Sequence, residues 1–160
     1  MKVLVVSHYL ALYRQPVFEK LMQSKDFDFY FACDVIAPND IKLVAPDFFR
    51  ENHHRLKNKW FFKKILWQKG LFSLCYKNDY DAIIVLGDPY FLSTWICSFF
   101  LKARNIKCIF WSNGFVRGSS VKDKIKIFLY NLSDGVFLYG NKAKDNLISK
   151  GIPENKLYPI

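Results

Sequence analysis

Glycine is scarce, seven in 160 residues, and its absence from one place weighs against two chemistries. The first apolar segment runs into a helical one through Ser7–Arg14, SHYLALYR, which carries two tyrosines, a histidine and an arginine but no glycine. A dinucleotide-binding turn there needs GxGxxG so that backbone can approach a pyrophosphate, and a P-loop needs GxxxxGK[ST]; neither pattern occurs. This argues against a dehydrogenase and against a P-loop NTPase. No GxSxG elbow is present, which weakens a Ser-His-acid hydrolase. The four cysteines, Cys33, Cys75, Cys97 and Cys108, form no CxxC, and His53-His54 lacks ligand-pair spacing, so no zinc site is expected. Buried, reduced thiols in a cytoplasmic protein are the expectation. Apolar runs fall short of the ~20 residues that span a bilayer, and MKVLVVSHY is too short before its first polar residues for a signal peptide. Acidic residues are few: 14 Asp plus Glu against 24 Lys plus Arg give a net charge of +10. That balance suggests an anionic partner, whether nucleic acid, phosphorylated small molecules or a membrane surface, without choosing among them.

What is present is alternation. Short apolar runs at Lys2–Ser7, Phe27–Cys33, Asp81–Leu86, Lys107–Trp111 and Gly135–Tyr139 read as strands, several so continuous that both faces must be covered. Helical patterns fall between them at Gln15–Gln23, Trp60–Tyr76, Phe91–Ala103, Val121–Leu132 and Lys142–Lys150. Strand and helix in this order specify an α/β fold, a parallel sheet doubly wound by right-handed crossovers. Ser120 suits a helix cap, Pro89 a first helical turn after Asp88, and Gly151-Ile152-Pro153 a helix stop. Residues 35–58, with Pro38 and Pro46, read as a long loop with one short edge strand. Residues 155–160, NKLYPI, read as the start of a further strand, which suggests a cut at a domain boundary.

Ligands of an open parallel sheet bind outside the carboxyl ends of the strands. That rim collects Ser7-His8-Tyr9, Gly87-Asp88-Pro89, Ser112-Asn113-Gly114 and Gly140-Asn141. Singly each has a structural explanation; together they make a candidate site. His8 is either a general base or a hydrogen-bonding loop residue. Arg14, beside Tyr13, is either a bidentate phosphate clamp or a solvated arginine at a helix start.

Residues 57–72, KNKWFFKKILWQKGLF, interleave lysines with aromatics. On a helix, Phe61, Ile65, Phe72 and Tyr76 form one stripe, expected in the core. Trp60, Trp67 and Leu71 fall on a second arc flanked by Lys63 and Lys64. Two readings of that arc stand: a helix buried on two sides with snorkelling lysines, or contact with an anionic membrane through Trp60, Lys63, Lys64, Trp67 and Leu71. Single strands also bind basic aromatic surfaces, but no RNP-like, KH or zinc signature accompanies this one, so no nucleic-acid partner is expected.

The order of segments resembles the N-terminal half of GT-B glycosyltransferases, specifically the retaining family 4. The resemblance spans essentially the whole chain and is carried by YRxPxFxxL (Tyr13, Arg14, Pro16, Phe18, Leu21) and by Ser133-Asp134, Tyr139, Ala143, Leu147, Gly151-Ile152-Pro153 and Lys156. It implies one of two Rossmann-like domains set face to face, residues 1–160 being the acceptor-binding half. The nucleotide-sugar would be held by a C-terminal domain with a Glu-x7-Glu-type motif, absent from these residues, so that this domain alone would not transfer sugar. No metal or other cofactor is implied, which agrees with the position of the only DxD candidates, Asp26-Phe27-Asp28 and Asp79-Tyr80-Asp81, at the wrong ends of strands. The implied activity is glycosyl transfer to a saccharide or lipid-linked acceptor in surface-polysaccharide or glycolipid assembly, in the cytoplasm or peripherally on the inner face of the plasma membrane. The resemblance implies His8 and Asn113 nearest the chemistry, with Tyr9, Tyr13, Arg14, Asp88, Gly114, Arg117 and Asn141 around the acceptor. Where many members have His-Gly, this chain has Asn113-Gly114, and an amide can position a group but cannot carry a proton. The other reading of the chain is a flavodoxin-like binding or membrane-associated scaffolding domain without activity.

Overall fold

A computed structural model describes residues 1–37, 41–114 and 121–160. The described strands are β1 (Lys2–Val6), β2 (Asp28–Cys33), β3 (His53–Arg55), β4 (Lys57–Phe61), β5 (Ile65–Lys69), β6 (Ala82–Leu86), β7 (Lys107–Ser112), β8 (Gly135–Leu138) and β9 (Leu157–Pro159). The helices are α1 (Gln15–Met22), α2 (Leu71–Lys77), α3 (Leu92–Ala103), α4 (Val121–Leu132) and α5 (Asn141–Ile148). Seven strands form one sheet in the order β3-β2-β1-β6-β7-β8-β9, every pair parallel. The chain steps outward from β1 to β3, then returns to the opposite side of β1 as β6. That reversal is the switch point at which α/β sheets open a crevice.

The apolar strands read as they do because both faces are covered. In β1, Val3 and Val5 pack with Phe18 of α1, Phe31 and Phe49. Leu4 and Val6 point the other way, into a larger core with Leu71 and Cys75 of α2, Leu101 of α3, Leu129 and Tyr130 of α4, and Leu147 of α5. One helix therefore covers the first face and four the second, an α/β doubly wound arrangement as the alternation specifies. Residues 35–58 contain the expected edge strand, β3, and a 3-10 segment over Pro46–Asn52. Residues 42–44 are tied to the loop after β1 by Val44 N–H to the Leu10 carbonyl at 2.9 Å and Leu12 N–H to the Lys42 carbonyl at 2.9 Å. Gly151 follows α5 at φ +85°, the left-handed stop expected there. Pro89 does not enter a helix: α3 begins only at Leu92, and Asp88 Oδ1 instead accepts the Tyr90 N–H at 2.9 Å to close a turn. Pro38 and the Ser120 cap lie outside the described residues. All four cysteines are free and buried. Among the described residues no helix is long and apolar enough to cross a membrane.

The basic aromatic stretch is not one helix. It is an antiparallel hairpin, β4 with β5, followed by α2. The side chains alternate with period two: Asn58, Trp60, Leu66 and Gln68 share the face toward the protein, while Lys57, Lys59, Phe61, Ile65, Trp67 and Lys69 share the other. Tertiary partners select this form. The Gln68 N–H donates to Ser93 Oγ at 3.1 Å, its Nε2 donates to the Ser7 carbonyl at 3.0 Å, and the Leu66 N–H donates to the Tyr90 carbonyl at 2.9 Å. Aromatic and β-branched residues suit a pleated surface, and Gly70 at φ +101° breaks the chain before α2. Phe61, Phe72 and Tyr76, expected in the core, are exposed, whereas Leu71, expected at a membrane, is fully buried. The hairpin connection puts Phe62 at φ +49° and Lys63 at φ +56°. Side-chain crowding in that left-handed region costs about 1 kcal/mol per residue, and Asn or Gly normally occupies it.

Two stability outcomes follow from this packing. Phe110→Ala, at a fully buried site under β7, should lower unfolding free energy by about 3–5 kcal/mol in urea titration. The pair F62N/K63G should raise it, by on the order of 1 kcal/mol, because the turn conformation then suits its residues.

Candidate active site at the switch point

The crevice between β1 and β6 opens into a pocket of about 240 Å³ lined by His8, Arg14, Asp88, Phe91, Trp111, Asn113, Lys126 and Tyr139, among others. The side chains arrive from the ends of β1, β6, β7 and β8, from the start of α1 and from the middle of α4. His8 follows β1; Asp88 follows β6 through Gly87, whose missing Cβ would sit 3.0 Å from Phe110 Cβ. Trp111 and Ser112 end β7, and Tyr139 follows β8.

Arg14 caps α1, and its guanidinium is not free in solvent. It lies 5.4 Å from the Trp111 ring centre and 5.5 Å from that of Tyr13, and donates to the Tyr139 hydroxyl at 2.8 Å. A planar cation held on aromatic faces is pre-oriented for a bidentate oxygen ligand. The His8 ring sits edge-on to Tyr9 and Phe91, at 4.8 and 5.8 Å. Among the described residues its Nδ1 is buried with no hydrogen-bond partner. Burial, reinforced by Arg14 and opposed by Asp88, pulls the His8 pKa below its ordinary 6.5. The imidazole is therefore neutral at pH 7 and can accept a hydrogen bond or a proton. Lys126 of α4 donates to Asn113 Oδ1 at 3.2 Å, and burial lowers its pKa, with Asp88 and Asp123 opposing. The pocket thus combines two cations, a carboxylate and a neutral base with aromatic walls, a set suited to hydroxyls and anionic oxygens.

Of the residues expected on the rim, the structure brings His8, Arg14, Asp88 and Asn113 together here. Tyr9 is buried behind them, its hydroxyl accepting from Trp60 Nε1 at 3.2 Å. Tyr13 lies outside the pocket, exposed, against Arg14, and Asn141 is exposed at the start of α5. Gly114 is a packing residue and not a pocket wall: at φ +71°, an added Cβ would lie 2.6 Å from Leu138 Cδ2 and 3.0 Å from Ala143 Cβ. Arg117 lies outside the described residues. Trp111, Lys126 and Tyr139 line the pocket but are not legible as site residues in the sequence. Trp111 and Tyr139 stand one residue before the rim positions singled out, so reading the strand ends one residue earlier reaches both. Lys126 approaches from a helix face and carries no sequence signal. His53 and His54 diverge, His53 Nε2 lying 3.4 Å from Cys33 Sγ and His54 Nε2 3.0 Å from the Tyr80 hydroxyl. Among the described residues no group of three or more His, Cys, Asp or Glu could hold a metal ion.

The His8 shift has a sign that melting experiments can read. Because the folded-state pKa lies below 6.5, the contribution to stability is complete above that value and is lost as pH falls through the depressed folded pKa. Burial shifts His53 and His54 in the same direction. The Tm should fall between about pH 7 and pH 5, and His8→Asn should flatten part of that slope in scanning calorimetry. Gly114→Ala should destabilise by more than about 1 kcal/mol in the same measurement, since both the left-handed φ and the lost space oppose a methyl group.

No family model matches the sequence, and no curated protein matches it. Solved structures do match in fold. The chain is similar to S. aureus MnaA bound to UDP, at 14% identity and TM-score 0.70, over 98% of this chain and 43% of that one. It is also similar to UDP-GlcNAc 2-epimerase from Methanocaldococcus jannaschii in complex with UDP-GlcNAc and UDP, at 18% identity and TM-score 0.61, over 100% and 46%. A third is Anabaena HepE with UDP and glucose, at 10% identity and TM-score 0.62, over 100% and 44%. The chain spans under half the length of each. With its seven parallel strands and central switch point, it has the α/β, Rossmann-like fold of one half of a GT-B-type molecule.

Proposed function

We propose that this chain is the acceptor-side half of a glycosyltransferase of the retaining family 4 kind. One observation carries the proposal: the switch-point pocket, where such folds commonly grip a nucleotide on glycines, is walled instead by Trp111, Tyr139 and Phe91 around Arg14, His8 and Asp88. Those walls suit a sugar face and its hydroxyls. At about 240 Å³ the pocket is smaller than the ~300–1,000 Å³ that encloses a drug-sized ligand, so it takes one end of a larger one. On this reading a second domain, beyond residue 160, holds the nucleotide-sugar, and the reacting groups meet between the two. The acceptor hydroxyl oxygen bonds to the anomeric carbon on the face from which the nucleotide phosphate departs, as retention requires, the bond from that carbon to the phosphate breaks, and the hydroxyl proton passes to the His8 imidazole. Asn113, steadied by Lys126, positions the acceptor without taking the proton. Arg14 binds an anionic or vicinal-diol group of the acceptor. The acceptor is a saccharide or lipid-linked saccharide, and neither a metal nor another cofactor takes part.

The solved neighbours favour a second reading: half of an enzyme that epimerises a sugar nucleotide with no acceptor, as the name of the M. jannaschii protein states for that protein.

The complete protein separates the two readings. Incubated with UDP-sugars, a transferase should release UDP only when an acceptor saccharide is added; inversion at C2 of UDP-GlcNAc without acceptor would support the epimerase. Arg14→Ala should lower kcat/KM for the acceptor by on the order of 10- to 100-fold, as expected on losing a half-buried charge-assisted contact, while the circular dichroism spectrum is unchanged. Unaltered turnover in that variant would remove Arg14 from the site. A native protein of roughly twice the mass of these residues is expected on a blot; a band at their own mass, with no activity, would favour the binding-domain reading.

A further inference from the structure

The hairpin tip is the least explained surface of the fold. Phe62 is 90% exposed at the apex and Phe61 49% exposed beside it. A tip serving only to reverse the chain would carry Asn-Gly, yet two left-handed positions are given to Phe and Lys. Strain kept at an exposed apolar apex points to a role for that side chain outside the fold. The charge on the hairpin itself has one sign, while at its base Asp34 Oδ2 accepts the Asn58 N–H at 2.7 Å. Residues 57–78 contain six lysines and no carboxylate. Lys57, Lys59, Lys63, Lys64 and Lys69 are all exposed, and no carboxylate among the described residues forms an ion pair with them. β5 packs against α3, whose Leu92, Ile96 and Phe99 are exposed at helical i, i+4, i+7 spacing with no acidic residue in the helix.

The geometry points to this surface as a membrane-docking wedge: Phe61 and Phe62 enter the interface of an anionic bilayer while the hairpin lysines meet its headgroups. Aromatic rings ringed by lysines satisfy both requirements of interfacial binding, apolar area and attraction to anionic lipid. A second copy of this chain is disfavoured because a self-complementary contact would bring the lysine clusters together. A nucleic acid is disfavoured because the rings crown a two-stranded projection and line no groove that tracks a phosphate backbone. The tip is anchored close behind its turn: the Trp60–Leu66 pair, next to the Phe61–Ile65 pair that ends the ladder, is held by the Leu66–Phe91 bridge and by Trp60 Nε1 donating to the Tyr9 hydroxyl at 3.2 Å, both beside the His8 pocket. Docking at the tip would therefore set the switch-point pocket close to the lipid surface, where a lipid-linked ligand reaches it. This surface differs from the helical arc read in the sequence: Lys63 and Lys64 remain in it and Phe61 and Phe62 lead it, while Trp60 lies on the face toward the protein, Trp67 is half-buried on the outer face and Leu71 is inside the protein.

The test is co-sedimentation of the complete protein with phosphatidylcholine vesicles, with and without phosphatidylglycerol. Binding should be at least about tenfold stronger to the anionic vesicles and should weaken with added salt. The variant F62N/K63G, folded and at least as stable as the parent, should lose about tenfold or more in binding, as should K63E/K64E. Tryptophan placed at the tip, F62W, should shift its emission to the blue and be quenched by brominated lipid. Equal binding to both vesicle types, no binding, or binding unaffected by F62N/K63G would overturn the assignment. Tip-dependent self-association, or a tip-dependent shift of labelled single-stranded DNA without vesicle binding, would assign the surface to that partner instead. Vesicle binding is read without any enzyme assay, so its failure is distinguishable from failure of the transfer reaction.

Discussion

The pairing of β1 with β6 is the contact on which the rest of the architecture depends. Val3, Leu4 and Val5 lie against Ala82, Ile83 and Ile84 in parallel register, while β2 occupies the other edge of β1. Right-handed crossovers then force the helix leaving β1 to one face and the helix leaving β6 to the other. The two strands part at their carboxyl ends, where the pocket opens. His8 and Asp88 stand on opposite banks of that gap, and β7 and β8 add Trp111, Asn113 and Tyr139 in turn. Burial reinforces the central position of β1: its four valine and leucine side chains face two separate cores, each contributing about 1.5–3 kcal/mol.

Within the pocket, desolvation and charge act on His8 in one direction. Burial disfavours the imidazolium, Arg14 repels it, and Asp88 only partly offsets them. The Arg14 guanidinium is met there by the Trp111 π face and donates to the Tyr139 hydroxyl. A neutral base beside a fixed cation is an arrangement that accepts a proton from a neutral hydroxyl while holding negative charge nearby. A single helix terminus or glycine turn would bind an anion but would offer no base.

The hairpin shows local preference and exposure set against each other. Its inner face obeys every packing rule, with Leu66 buried and Gln68 satisfied by Ser7 and Ser93. Its apex breaks two, placing large residues at left-handed φ and an aromatic ring in water. Agreement across levels of structure is the usual state of a folded sequence, and a local breach commonly marks function.

Much was determined by the sequence alone. Near-continuous apolar runs separated by helical patterns admit only a parallel, doubly wound sheet, and the rim residues follow from that topology, since carboxyl ends of parallel strands lie together. His8, Asp88 and Asn113 were legible for that reason, and Arg14 as a cation at the start of the first helix. Residues 57–72 were not, because a period near 3.6 and a period of two both accommodate their aromatics and lysines. Only tertiary contacts to Ser7, Tyr90 and Ser93 choose the strand. Lys126 entered the pocket, and Gly114 left it, on the same ground. The distance between side chains on different elements is set by packing, and no spacing along the chain encodes it.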